Sequence, residues 1–367
     1  RASLPGKLTL KIDPDVLKAL AKNYEIVIIT GTNGKTLTTA LTVKVLQAKY
    51  GNVLTNKSGS NMKQGIVTAF LTAQKTSSGK NLAVLETDEA NVPIVCEYIK
   101  PKMFVLTNLF RDQMDRYGEI YTTYGKILKG VLMHPDALVL ANGDAPIFNS
   151  KELPNKVVYY GFADKAEKDQ LAPANTDGLL CPGCQHILHF KYRSYSNLGK
   201  YFCPNCGFKR PKLTYKVDRI LAQTPQASKF TINGHEVDLH IGGTYNIYNA
   251  LAAYAVGSQL EVEPKTICQA LSQNDEKVFG RQEVIDLDGK EVTMILVKNP
   301  VGLDQVLEMI KTDDKPFSLA VLLNANYADG IDTSWIWDGD FENLPFDKIP
   351  SVLTGGERYK DITFRLR

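Results

Sequence analysis

The stretch IITGTNGKTLTT, residues 28–39, restricts the possible folds of this chain more than any other segment. A run of apolar residues ends at Thr30, and a turn with two glycines, a lysine and a hydroxyl leads into a sequence that favours a helix. Backbone N–H groups at such a strand–turn–helix junction can bind phosphate, the lysine adds a positive charge, and the threonine can ligate Mg²⁺. The strict form GxxxxGK[ST] is not met, because Ile29 stands five residues before Gly34. We predict a phosphate-binding loop; the alternative is a glycine turn with an exposed lysine.

The apolar runs of the first half indicate a parallel α/β sheet. They lie at 24–30, 82–87, 103–108 and 137–142, and helix-like stretches separate them. Strands buried on both faces alternate with helices in this way in α/β proteins. The length of 367 residues suggests two or three domains.

Charge and hydropathy exclude some classes of protein. The apolar runs are too short to span a bilayer, and residues 1–25 have no signal-peptide core, so we predict a cytoplasmic protein. The net charge of +3 gives no argument for a nucleic-acid or membrane partner. Because the first residue is Arg, we expect that the native start is missing.

Carboxylates follow one of the predicted strands. Glu86 and Asp88 come directly after the run at 82–87, and the ends of parallel strands are where open α/β sheets bind ligands. They are candidate Mg²⁺ ligands; the alternative is a solvated turn. The run LTNLFRDQMDRYGE (106–119) also follows a strand, and its alternative is a surface helix with ion pairs.

Four cysteines form two CPxC pairs separated by eighteen residues, a pattern typical of a zinc ribbon. We predict that they bind a structural Zn²⁺, since four thiolates close the ligand shell: Cys181, Cys184, Cys203 and Cys206. Reduced cysteines packed by chance or a redox dithiol are the alternatives, and His186 and His189 are alternative ligands nearby. Cys96 and Cys268 are predicted core residues.

The segment KYRSYSNLGKYF (191–202) mixes basic and aromatic residues, as nucleic-acid-binding surfaces do. A β-ribbon with exposed tyrosines has the same composition. Because the overall charge is nearly neutral, we predict no nucleic-acid partner.

The second half begins with a predicted hairpin at Asn233-Gly234, because that residue pair favours a type I′ turn. A helix is predicted over 245–256, a second hairpin at Asp288-Gly289, and a buried strand over 316–324. We place a domain boundary near Gly280.

Five motifs, in order, resemble the Mur ligase family, which includes the peptidoglycan amide ligases and the folylpolyglutamate synthetases. They are GTNGKT, Glu86 after a strand, TNLFRDQMDRYG, GGTYNIYNALAA and GRQE (280–283), with a weaker match at KNPVG (298–302). The resemblance implies an α/β P-loop ATPase domain with a parallel sheet over 1–283, with the zinc ribbon inserted at 174–214. A smaller α/β C-terminal domain would follow over 284–367, and we expect it to be incomplete because the chain stops soon after 349–354.

The resemblance also implies a ligase that uses ATP and Mg²⁺ to form an acyl phosphate. Lys35 and Thr36 would hold ATP phosphates and Mg²⁺, Glu86 would ligate the same metal, and Arg281 would reach a terminal phosphate. The residues implied to bind the nucleotide are Gly31, Thr32, Asn33, Gly34, Lys35, Thr36, Asn246, Asn249 and Arg281.

The sequence departs from the family pattern in three places. The usual Asp-His pair is Asp112-Gln113, and the carbamylated lysine falls on Ile127 or Leu128, which leaves the number of Mg²⁺ ions open. The segment before Asn-Pro reads ILVK in place of the usual Asp and His. We expect no domain for a UDP moiety before the phosphate loop, because its strand begins at about residue 24, and we therefore expect a substrate that is not UDP-linked.

The loop LLNANYADGIDTSWIWDGDFE (322–342), with the zinc ribbon, resembles the subfamily of Mur ligases that amidates lipid II. This implies amidation of the D-glutamate α-carboxylate by ammonia from a GatD-type glutamine amidotransferase partner, at the cytoplasmic face of the membrane of a Gram-positive bacterium. Asp332 would complete the Cys-His pair of that partner, so the implied catalytic residues are Asp332, Lys35 and Glu86. The alternatives are a stand-alone Mur or folylpolyglutamate-type ligase and a zinc-ribbon NTP-binding regulator of nucleic acid.

Overall fold

The computed structural model describes residues 3–56, 60–73, 81–111, 120–163, 169–171, 178–273, 283–326 and 332–367. The strands in these ranges are Tyr24–Thr30 (β1), Val53–Thr55 (β2), Asn81–Glu86 (β3), Pro101–Leu106 (β4), Leu138–Asn142 (β5), Val157–Phe162 (β6), Gln170–Leu171 (β7), His189–Tyr195 (β8), Leu198–Phe202 (β9), Tyr215–Gln223 (β10), Ser228–Ile232 (β11), His235–Leu239 (β12), Glu283–Leu287 (β13), Lys290–Met294 (β14), Leu319–Leu322 (β15) and Val352–Gly355 (β16). The α-helices are Leu4–Ile12 (α1), Val16–Ala21 (α2), Lys35–Tyr50 (α3), Lys63–Leu71 (α4), Val92–Cys96 (α5), Ile120–Leu132 (α6), Thr244–Gln259 (α7), Pro264–Ser272 (α8), Pro300–Ile310 (α9) and Tyr359–Arg365 (α10).

A nine-stranded sheet forms the centre of the larger body, in the order β12-β11-β10-β6-β5-β4-β1-β3-β2. The strands from β10 to β2 pair in parallel, and β11 and β12 extend the sheet as an antiparallel hairpin. The predicted parallel α/β sheet is therefore confirmed. Because β1 lies inside the parallel part of the sheet, between β4 and β3, its carboxyl end places the phosphate loop beside the ends of those two strands.

The core of this body explains why these segments fold as they do. Residues 26–30 of β1 are all buried, as expected for a parallel strand covered on both faces. Helix α3 packs against α7, and residues 246–257 of α7 are buried without a break. A helix that is apolar on all sides lies inside a protein, so α7 fixes the position of α3 and of the loop before it.

Both predicted hairpins are present. Asn233 and Gly234 have φ values of 46° and 82°, and Asp288 and Gly289 have values of 52° and 78°. Positive φ at both central positions is the property of a type I′ turn.

The C-terminal part has its own apolar core, formed around α9, α10 and the parallel pair β15–β16. The predicted buried strand over 316–324 is wrong in its burial: the strand is shorter, and the side chain of Leu322 is 71% exposed. In the described ranges β15 pairs only with β16. Its residues alternate between half-buried and exposed, so one face of this small sheet meets solvent.

The cysteine-rich insertion forms a small three-stranded sheet, β7-β8-β9, with its own core of Leu188, Phe190, Tyr201 and two cysteines. No helix within the described ranges is long and apolar enough to cross a bilayer.

Candidate functional site

The phosphate loop, residues 31–36, depends on its two glycines. Gly31 has φ +137° and Gly34 has φ +82°, values that other residues rarely adopt. A Cβ on Gly31 would lie 2.2 Å from Oγ1 of Thr107, and one on Gly34 would lie 2.2 Å from Oδ1 of Asn249. Both positions therefore require glycine, for backbone conformation and for close packing.

The loop that follows β4 supports the phosphate loop. The backbone N–H groups of Thr32 and Asn33 donate to the backbone O and the side-chain Oδ1 of Asn108, at 2.9 and 2.8 Å. Thr32 and Phe110 are joined by two further hydrogen bonds, at 3.1 and 3.2 Å. Adjacent parallel strands thus place two loops in direct contact, as the strand order β4-β1 requires.

Lys35 lies inside the loop and is almost fully buried. Its Nζ donates to the carbonyl oxygens of Gly31 and Thr32, and lies 3.1 Å from Oε1 of Glu89. Burial lowers the pKa of Lys35, but the nearby carboxylates, with Glu89 first and then Glu86 and Asp88, outweigh it and raise the pKa above its ordinary value. Lys35 is therefore a firmly charged cation at the position where phosphate would bind.

Three carboxylates lie at the end of β3 and all are buried: Glu86, Asp88 and Glu89. The backbone of Glu86 is fixed by Asn56, which accepts from its N–H at 3.0 Å and donates to its carbonyl oxygen at 2.8 Å. Burial raises the pKa of Glu89, and the ammonium group of Lys35 opposes this shift. The sequence identified Glu86 and Asp88 but not Glu89, although Glu89 belongs to the same strand end, which is the signal that could have found it.

Helix α7 contributes the two predicted asparagines. Oδ1 of Asn249 accepts from the Thr38 hydroxyl at 3.1 Å, and its Nδ2 donates to Asn246 at 3.2 Å. Both side chains are buried; Asn249 lies beside Gly34 and the start of α3, and Asn246 lies behind it, donating to the carbonyl oxygen of Gly242 at 2.6 Å. The structure thus brings Asn246, Asn249 and the phosphate loop together, as the sequence motifs require.

Asp332 lies in the C-terminal part, shortly before Ser334. Its Oδ1 accepts from the backbone N–H of Ser334 at 2.8 Å. Hydrogen bonds from Ser334 lower the pKa of Asp332, and the charge of Arg111 adds to this effect. Arg111 itself follows β4 and forms an ion pair with Asp338 of the C-terminal part. Asp332 is therefore an ionised, half-buried carboxylate that interacts electrostatically with Arg111 at the end of the loop after β4.

The four cysteines of the ribbon converge on one point. Their sulfur atoms all lie within 4.8 Å of one another, with 3.4 Å between the sulfurs of Cys181 and Cys206 and of Cys184 and Cys203. A tight turn closes each cysteine pair. Gln185 has positive φ and donates its N–H to the carbonyl oxygen of Cys181, and Gly207 has positive φ and donates its N–H to the carbonyl oxygen of Cys203. Tetrahedral Zn²⁺ with thiolate bonds of about 2.3 Å requires sulfurs at this spacing, so the donor set has the geometry of a metal site.

A buried carboxylate joins the ribbon to the sheet. Asp144 follows β5 and is fully buried, and it accepts hydrogen bonds from Arg210 at 2.8 Å, Tyr248 at 2.6 Å and the Phe162 N–H at 2.7 Å. Burial raises the pKa of Asp144, and Arg210 with the other donors opposes the shift. Sequence reasoning missed this residue, because its partners come from three distant segments.

Some predicted residues lie outside the described ranges. They include Arg281, the Asp112-Gln113 pair and the boundary near Gly280. The roles predicted for them stay predictions. Thr36 is the second residue of α3, directly after Lys35, and its role as a metal ligand stays a prediction. Cys96 and Cys268 are buried, as predicted.

Family models match two parts of the chain. One described as Mur ligase middle domain matches residues 29–205, and one described as MurT ligase C-terminal matches residues 296–367. The first match begins in β1 and ends within the ribbon, and the second covers the C-terminal part from residue 296.

Solved structures share the fold. The pseudomurein peptide ligase type C from Methanothermus fervidus has a TM-score of 0.68 at 23% identity, covering 96% of this chain and 81% of that one. The MurF ligase from Thermotoga maritima, in complex with ADP, has a TM-score of 0.62 at 15% identity, covering 96% of this chain and 82% of that one. At these identities the likeness shows the fold alone.

Two relatives are much closer in sequence. A protein of Streptococcus pneumoniae named lipid II isoglutaminyl synthase (glutamine-hydrolyzing) subunit MurT is 54% identical over 366 residues, covering 100% of this chain and 82% of its own length. A Staphylococcus aureus protein of the same name is 36% identical, covering 99% of this chain and 82% of its own length. This chain therefore belongs to the MurT family of Mur ligases.

Proposed function

We propose that this chain is the synthetase subunit of a lipid II isoglutaminyl synthase. It would amidate the D-glutamate α-carboxylate of the lipid II stem peptide to D-isoglutamine, at the expense of ATP. The observation that carries the proposal is the buried charged Lys35 in a glycine loop beside Glu86 and Asn249, in a chain 54% identical to a MurT subunit.

The proposed reaction has two steps, phosphorylation of the carboxylate and attack by ammonia. A carboxylate oxygen takes the γ-phosphoryl group of ATP, which gives an acyl phosphate and ADP. The nitrogen of ammonia then forms a bond to the carbonyl carbon, the bond to phosphate breaks, and a proton leaves the nitrogen. Phosphoryl transfer of this kind requires positioning and charge stabilisation more than a nucleophilic residue.

The roles of the residues follow from their positions. Lys35 and the backbone N–H groups at the start of α3 would bind the phosphates, and Thr36 with Glu86 would hold Mg²⁺, which neutralises phosphate charge when bound. Asn246 and Asn249 would fix the loop from α7, and Arg281 would reach a terminal phosphate. Acidic Glu86 and a threonine hydroxyl are hard oxygen donors, so they fit this ion.

Asp332 would act outside the nucleotide site. The names of the relatives describe a subunit that works with glutamine hydrolysis, and we assign the partner as a GatD-type glutamine amidotransferase. The ionised, half-buried Asp332 would orient the imidazole of the partner and stabilise its charged form. The substrate would place the complex at the cytoplasmic face of the membrane of a Gram-positive bacterium, in line with the Streptococcus and Staphylococcus relatives.

The ribbon cysteines would hold a structural Zn²⁺, because four thiolates leave no open position for substrate. We further propose the domain limits expected from the sequence, with the ATP-binding domain over 1–283, the ribbon over 174–214 and the C-terminal domain over 284–367.

The test measures lipid II amidation and phosphate release with two nitrogen sources, glutamine plus the glutaminase partner, or ammonium alone. Asp332→Asn is compared with unchanged protein and with Asp347→Asn, an exposed carboxylate of the same C-terminal part. We expect Asp332→Asn to lose glutamine-driven amidation by at least a hundredfold and to keep ammonium-driven amidation.

Other outcomes contradict the proposal in distinct ways. An equal loss of amidation with both nitrogen sources would show that Asp332 does not complete the Cys-His pair of the partner. Phosphate release with an amino acid but not with ammonium would favour a stand-alone ligase. If lipid II elicits no phosphate release from ATP with either source, the amidoligase assignment is wrong.

A further inference from the structure

Two asparagines join the phosphate loop to the C-terminal part, 266 residues apart in sequence. Nδ2 of Asn299 donates to Oδ1 of Asn33 at 3.0 Å, and Nδ2 of Asn33 donates to Oδ1 of Asn299 at 3.3 Å. Asn299 is 2% exposed. The two amides therefore form a reciprocal pair in which Asn299 is buried and Asn33 is half-buried, and a hydrogen bond with a buried partner is costly to leave unmade.

The position of Asn299 is set by its own domain. It is the N-cap of α9, and its Oδ1 also accepts from the backbone N–H of Gly302 at 2.8 Å. Pro300 follows at the first helical position, which favours a fixed start. Leu303 and Leu307 anchor the same helix in the C-terminal core. Asn299 therefore presents a rigid donor and acceptor to the loop.

Asn33 is held on its other side by the ATP-binding body. Its backbone N–H and C=O both bind the amide of Asn108, at 2.8 and 2.9 Å. Its side chain turns the other way, to Asn299. Gly34 follows with φ +82°, and glycine has little intrinsic conformational preference. The contacts on both sides of Asn33 therefore decide the conformation of the loop.

We propose that Asn299 is a positioning residue for the phosphate loop. Its amide holds Asn33 so that the loop is ordered before the nucleotide arrives, and binding then loses less conformational entropy. The C-terminal domain thereby contributes to nucleotide affinity through a residue that need not touch the nucleotide. The inference rests on the proposed function only in that the loop binds ATP.

Three substitutions separate this role from helix capping. Asn299→Ser keeps a cap acceptor for Gly302 but is too short to reach Asn33, and Asn299→Ala loses both contacts. Asn299→Asp keeps the cap and the reach but replaces the Nδ2 donor by an acceptor. The dissociation constant of ADP and the melting temperature are measured for each variant in the full chain.

We expect the ADP dissociation constant to rise about tenfold in the serine, alanine and aspartate variants, as loss of one or two partly buried hydrogen bonds implies. All three variants should melt earlier than unchanged protein, and the alanine variant, which also loses the helix cap, should melt earliest. In an Asn33→Ala background, Asn299→Ser should change the ADP affinity no further, because the shared contact is already gone.

If Asn299→Ser binds ADP as tightly as unchanged protein, Asn299 is only a helix cap and the inference is wrong. Additive effects in the double variant would overturn it as well. ADP binding with this pattern in a protein that does not amidate lipid II would refute the proposed function and leave the inference standing. Absence of ADP binding by unchanged protein would refute both.

Discussion

Lys35 in the phosphate loop and Glu89 beyond β3 form a buried ion pair, with 3.1 Å between Nζ and Oε1. Both side chains are at most 12% exposed. A phosphate that binds Lys35 must therefore compete with a carboxylate already in place. If Lys35 binds phosphate as we propose, Glu89 opposes the binding of an anion there.

Glu89→Gln should strengthen ADP binding measured without divalent ions. The change keeps the shape of the side chain and removes one negative charge close to the proposed phosphate site. We expect the affinity for ADP to rise about five- to tenfold, because the repulsion between the two negative charges is lost. Titration of ADP in the presence of a chelator measures it. Glu97→Gln, at an exposed glutamate on the same segment, is the control and should leave the affinity unchanged. Weaker ADP binding by Glu89→Gln would contradict the competition.

The ribbon should contain about one zinc ion per chain. Cys206→Ser removes an exposed ligand of the cluster and should lower the zinc content of purified protein severalfold, as measured by elemental analysis. Cys268→Ser, at a buried cysteine outside the cluster, should retain the metal. A zinc content that is the same in both variants would exclude a four-cysteine site.

Asp144→Asn should destabilise the protein by about 3–5 kcal/mol, because it removes the buried carboxylate that pairs with the Arg210 guanidinium. The double variant Asp144→Asn with Arg210→Met should recover part of this loss, since the buried charge is then gone. Urea unfolding measures the free energy, and hydrogen exchange in β8 and β9 shows whether the ribbon loosens first. Lys209→Met, at the exposed neighbour of Arg210, is the control. If the Asp144→Asn variant is as stable as the unchanged protein, the pair of Asp144 and Arg210 does not hold the ribbon to the sheet.

Asp304 gives a pH dependence with a defined sign. Burial raises its pKa to about 6, and the carboxylates of Asp340 and Glu308 add to the effect. The folded state thus binds the proton more tightly than the unfolded state, so this group's contribution to stability is lost as pH rises through about 6. Asp304→Asn should raise the melting temperature by a few degrees at pH 7.5 and have little effect at pH 4.5.

The control for this prediction is Asp347→Asn, at an exposed carboxylate of the same domain. Its melting temperature should match that of unchanged protein at both pH values. A stabilisation by Asp304→Asn that is equal at pH 4.5 and 7.5 would show that charge is not the cause.

Local patterns predicted the elements that depend on local physics. The strand before the phosphate loop, both hairpins and the convergence of four cysteines follow from apolar runs, from turn residues with positive φ and from knuckle spacing. The ordered motifs also identified the family, and the close relatives confirm it. The predicted burial of Leu322 was wrong because an apolar run does not reveal whether both faces of the strand will be covered.

The sequence by itself determined the parallel sheet, the phosphate loop, the cysteine cluster and the family. Only the tertiary structure decided which side chains meet: Lys35 with Glu89, Asp144 with Arg210, and Asn33 with Asn299. Each of these pairs joins segments that are distant in the chain, and a polar residue gives no sequence signal of its partner. Burial makes such pairs specific, because an unmatched polar group away from water is costly, and burial is a property of the packed fold.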